Sequence, residues 1–140
     1  MNGLLKLITA ATIFVRPSVT DQSLKNFATR MFAWLEIQKY EEEFTGRDGE
    51  DQVFVGSAVG ITVVIGQKRT TSGRATDKTD LAKYPFAIEL AAQETRQAAE
   101  YLAQHAHILA WRLSHEGYRC FIPKDIVTAR SEQDGMVYDA

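Results

Sequence analysis

At 140 residues the chain is close to the commonest single-domain size, long enough to bury about two-thirds of the surface its unfolded form exposes. Apolar residues at 45% and charged residues at 24% exclude the disordered and collagen-like classes. A net charge of -2 supplies no global attraction to nucleic acid or to an anionic membrane, so neither is an expected partner, and a single domain over residues 1–140 is the default.

In chain order, Leu4 to Val15 is a run of Leu, Ile, Thr and Val bounded by Gly3 and Pro17. Lacking helical spacing, it reads as a buried strand, with a helix as the alternative. A signal peptide fits poorly: Lys6 is the only charge, it lies inside the run, and no Ala-x-Ala site follows. The run is also too short to span a bilayer, so a cytoplasmic location is expected.

Ser18 and Asp21 stand at capping-box spacing, with Thr20 an alternative cap, which predicts a helix from Asp21 to about Gln38. Leu24, Phe27, Ala28, Met31, Trp34 and Leu35 share about 120 degrees of its wheel, as a helix packed by one face requires. Residues 41–51 then carry Glu41, Glu42, Glu43, Asp48, Glu50 and Asp51 against Arg47 alone, with glycines that mark a turn between short strands.

Val53 to Gly66 contains three glycines, the ingredients of a phosphate-cradling loop, but the spacing contradicts one. No lysine follows Gly60 or Gly66 as a Walker loop requires, and Gly56 and Gly60 lack the start of a dinucleotide fingerprint. Period-two alternation fits better: Val53, Val55, Val59, Ile61, Val63 and Ile65 share one parity. The run is either one strand with a small second face or a hairpin turning between Gly56 and Gly60. In the first case the acidic turn and the basic segment that follows lie at opposite ends of the sheet; in the second they lie at the same end.

That basic segment, residues 67–83, holds five basic groups against two acidic ones and is long for a loop in a compact domain. Lys68, Arg69 and Arg74, among Thr70, Thr71 and Ser72, form a candidate anion site. Phe86, Ile88 and Leu90 alternate with Ala87 and Glu89, the pattern of a half-buried strand entered at Pro85. Glu94 to Glu116 is the longest predicted helix, with Gly117 as its stop.

Its buried stripe is Ala98, Leu102, Ala106, Leu109 and Leu113, while Trp111 falls in the polar sector, either as a partner anchor or beneath the C-terminal residues. His105, His107 and His115 lack the spacing of three or four that a shared ion on one helix face requires, so no metal is expected. Cys120 lies in the apolar strand Tyr118 to Ile122 and reads as a buried structural thiol. Residues 124–140 read as a polar tail.

Strand, helix, several strands, helix, strand predicts an α+β two-layer sandwich: a mostly antiparallel sheet with two main helices on one face, in the outline of a ferredoxin-like split βαβ unit with an added strand. No Ser, His and Asp set, carboxylate pair or cofactor motif emerges, so no catalytic residue and no cofactor is expected. The expected function is binding of another protein, as a small inhibitor of the immunity or antitoxin kind, through Glu41, Glu42, Glu43, Asp48, Glu50, Asp51 and Trp111. The competing expectations are a phosphate-ligand or nucleic-acid domain using Lys68, Arg69 and Arg74, and a structural subunit that self-associates through its sheet.

Overall fold

The structure, a computed structural model, describes residues 10–17, 23–45, 51–58, 61–67, 83–92, 96–125, 129 and 131–139. Among these residues seven strands pair antiparallel: β1 (Ala10–Pro17), β2 (Tyr40–Thr45), β3 (Asp51–Ala58), β4 (Ile61–Gln67), β5 (Phe86–Ala91), β6 (Tyr118–Pro123) and β7 (Gly135–Tyr138). Their spatial order is β2-β3-β4-β5-β1-β6-β7. Helices α1 (Leu24–Trp34) and α2 (Arg96–His115) complete an α+β fold. The sheet is larger than the two-layer outline predicted from sequence, because the segment read as a polar tail contains a strand.

Residues 131–138 account for that difference. Ser131 caps a 3₁₀ turn at Glu132–Asp134, where its hydroxyl accepts from Gln133 N–H while the Asp134 carboxylate accepts from Ser131 N–H. This reciprocal cap satisfies donors that a turn leaves orphaned and aims the chain into β7, which pairs Val137 with Phe121. The polar letters of Ser131-Glu132-Gln133-Asp134 are therefore a turn signal, although they read as a tail.

The sheet is buried on its helix face and, around Phe14, Ala87 and Phe121, on part of the other. Phe54, Ile65, Ile88 and Ile13 form a transverse row under the helices. They join Phe27, Ala28, Met31 and Phe32 of α1 and Leu102, Ala106, Leu109, Ala110 and Leu113 of α2 in one cluster. The side chain of Ala98, predicted for that stripe, lies outside the described residues. The adjacent row, Val53, Gly66, Ala87, Phe14, Phe121 and Val137, faces the other way, and Phe14, Ala87 and Phe121 are fully buried there with Tyr84 and Ala129. Because Ala87 is buried as well, only Glu89 and Ala91 of β5 are half-buried.

Residues 53–66 form a hairpin. Ala58 pairs with Ile61, so only Val59 and Gly60 connect β3 to β4. In a two-residue connection the paired flanking residues share a face, and residue parity switches across the turn. The uniform parity seen in the sequence is therefore broken: Phe54 and Gly56 face the helices with Ile65 and Val63, whereas Val53 and Val55 face away. The hairpin also brings Thr45, Asp51 and Gln67, the residues bounding both charged segments, to one end of the sheet.

Helix α1 begins later and ends earlier than its pattern predicts. Its cap is Ser23, whose Oγ accepts from Asn26 N–H at 3.3 Å, while Ser18, Thr20 and Asp21 lie outside the described residues. At its end Glu36 takes φ 59, Glu36 N–H donates to Ala33 O at 3.1 Å, and Ile37 N–H donates to Phe32 O at 2.8 Å. This pair of bonds is the Schellman closure, which needs one left-handed residue and ordinarily recruits Gly. Here Glu occupies it, so no letter announces the stop.

The chain then drops onto Gly56, where an added Cβ meets Ile37 Cγ2 and Phe32 Cε1 at 2.9 Å and Tyr40 Cβ at 3.2 Å. Gly56 is thus the small residue that lets α1 approach the sheet. The predicted stop of α2 is found as expected, with Gly117 at φ 93.

Candidate functional site

The acidic residues divide by position. Glu41, Glu42 and Glu43 lie on β2, an outermost strand, and all three are exposed. Glu41 pairs opposite Val55 and Glu43 opposite Val53, so both point to the face away from the helices; Glu42 pairs opposite Phe54 and projects to the helix side, where the Gln52 amide donates to it. Neither Glu41 nor Glu43 takes part in a described ion pair. Asp51 opens β3 opposite Thr45, while Asp48 and Glu50 lie outside the described residues, as do Lys68, Arg69 and Arg74.

Beside the glutamates, Phe44 is 62% exposed, and Tyr40 stacks on Phe32 with centroids 4.4 Å apart. Between the chain entering β2 and the start of the β3–β4 turn lies an open cleft of about 710 Å³, lined by Lys39, Glu41, Ser57 and Thr62 over Val55 and Gly56. β2 is paired on one side only among the described residues, so its outer backbone groups are available to a further strand. Charge on such an edge normally disfavours indiscriminate pairing.

Trp111 is 57% exposed on the outer face of α2, and Ile108, one turn earlier, is 56% exposed. The described C-terminal residues leave Trp111 exposed. Its ring instead lies 4.4 Å from that of His115, whose Nδ1 sits 2.9 Å from Trp111 O. β7 meets α2 at His107, where Nδ1 is 2.6 Å from Tyr138 Oη.

A polar network absent from the sequence reading occupies the opposite edge. Arg119 donates from Nε and a terminal nitrogen to the two Glu132 oxygens, at 3.0 and 2.7 Å, and from its other terminal nitrogen to Asp139. Tyr84 also donates to Glu132, and Arg16 lies over the Tyr84 ring at 5.7 Å. The forked bond from Arg119 holds the Glu132 carboxyl at about 2, well below its usual range, and burial pushes the Tyr84 phenol up. The members come from four segments distant in sequence, so the network was not legible before the fold was known.

The chemistry of these groups is that of a brace. Burial pushes the Cys120 thiol up to about 12, which suppresses the thiolate a nucleophile needs. Burial also raises Glu89, a half-buried carboxyl in the row Glu41, Val55, Val64, Glu89, Thr12. Among the described residues no three of His, Cys, Asp and Glu gather as a metal ion needs, and no helix is long and apolar enough to cross a membrane. No family model matches the chain, and comparison with curated proteins finds no match.

Proposed function

We propose that the protein is a protein-binding module that takes a basic partner on the β2 edge, in the manner of an inhibitor of the immunity or antitoxin kind. The observation that carries this reading is the placement of three exposed glutamates and exposed Phe44 along a strand open on its outer side. Backbone groups on such an edge supply affinity to an added strand, alternating side chains supply selectivity, and the carboxylates accelerate encounter. The order β4-β5-β1-β6, with α2 joining β5 to β6, supports reading the core as a ferredoxin-like split βαβ outline extended at both edges, an analogy that assigns no function.

The test is capture from the native host followed by association kinetics across a salt series. A basic protein is expected to copurify, and replacing Glu41, Glu42 and Glu43 with alanine is expected to slow its association by about tenfold at low salt. An unchanged association rate removes β2 as the surface. If nothing but a nucleotide or RNA copurifies, and reversing Arg69 and Arg74 abolishes its binding, the anion-binding reading replaces this one.

A further inference from the structure

The outer face of α2 carries a second surface, independent of the β2 proposal. Glu100, Gln104, Ile108, Trp111 and His115 are all exposed and, at 100 degrees per residue, fall within about 80 degrees of arc. Leu102, Ala106, Leu109 and Leu113 are buried on the side facing the sheet, so the stripe points away from the molecule. Both flanks are already occupied: the Arg112 guanidinium lies over Trp34 at 5.2 Å, and His107 meets Tyr138.

The order of residues along this stripe identifies what it fits. Glu100 and His115 are equidistant from the point between His107 and Ile108, and so are Gln104 and Trp111. Two such stripes laid antiparallel about a twofold axis at that point set Glu100 against His115 of the other copy, Gln104 against Trp111, and Ile108 beside its own equivalent. Each contact is chemically matched: an acid meets an imidazole, an amide meets an indole face, and an aliphatic residue meets itself. A surface for an unrelated helix has no reason to be symmetric about its centre, whereas a twofold interface must be self-complementary.

We propose that α2 pairs antiparallel with α2 of a second copy of this chain, forming a twofold dimer centred on Ile108 with Trp111 as its anchor. The paired stripes run about 22 Å at 1.5 Å per residue, and indole, amide and aliphatic groups become buried between them. The two β2 edges stay outside this interface.

Sedimentation of the full chain over a wide concentration range tests the pairing. The wild type is expected to show a concentration-dependent monomer–dimer equilibrium. Ile108→Arg places two cations together on the axis and is expected to weaken dimerisation by about a hundredfold or more. Because position 108 is exposed, its circular dichroism should match the wild type. Glu100→Arg and His115→Glu are each expected to weaken the dimer, and the double exchange to restore it, because the pair crosses the interface in both directions. A wild type that stays monomeric throughout overturns the proposal, as does a dimer that survives Ile108→Arg or a double exchange no tighter than either single variant.

Discussion

The two edges of the sheet are held by different physics. At β2 and β3 the edge is fixed by shape: Phe32, Ile37 and Tyr40 close over Gly56, and the Tyr40 ring lies edge-on to Phe54 at 6.5 Å. At β6 and β7 it is fixed by charge, with Arg119 gathering Glu132 and Asp139 and Glu132 also accepting from Tyr84. Carboxylates occur at both edges, but Glu132 and Asp139, which flank β7, are paired with Arg119, whereas among the described residues Glu41 and Glu43 of β2 take part in no ion pair. Where packing already secures an edge, its charges are free to act outward.

The largest break in this contrast is expected at the shape-held edge. Gly56→Val should cost about 2–3 kcal/mol in urea unfolding, since the added methyls have to displace the stiff Phe32 ring and Ile37. At the charge-held edge Arg119→Met should cost about 1–2 kcal/mol, less than a fully buried network because Arg119 and Glu132 remain 24% exposed.

Acid titration sharpens the second case. Glu132 has its folded value lowered from 4.5 to about 2, so its contribution is complete above 4.5 and lost as pH falls toward 2. Wild-type stability should drop across that window, and Arg119→Met should drop less; parallel curves would remove Glu132 as the cause.

A smaller effect of opposite sign is expected at the end of α1. Glu36→Gly relieves a left-handed residue at φ 59 and should raise stability by about 0.5–1 kcal/mol, seen as a higher urea midpoint at unchanged m-value. Replacing Glu41, Glu42 and Glu43 with alanine should change stability by less than about 0.5 kcal/mol, since the side chains are exposed. A larger loss would mean that these residues hold the edge and do not serve a partner.

Local pattern alone was enough to identify β5, α2 with its stop at Gly117, and the buried Cys120, because each depends on periodicity or on one residue's backbone preference. It also separated Trp111 from the core stripe of its helix, where it is indeed exposed. Pattern failed where a stop or turn was made by residues with no reputation for it. Glu36 closes α1 without glycine, and Ser131 to Asp134 is a capped turn with the composition of a tail.

By itself, then, the sequence determined the α+β class and the faces of its longer elements, since a repeating apolar period is a local property. The tertiary structure decided that residues 53–58 and 61–66 pair as a hairpin, that residue parity differs between the two strands, and that β7 joins the sheet. It also decided which acids remain available. Glu132 and Asp139 read like Glu41 and Glu43 in the sequence, but pairing in space brings Arg119 to the first two and leaves the others on an open edge.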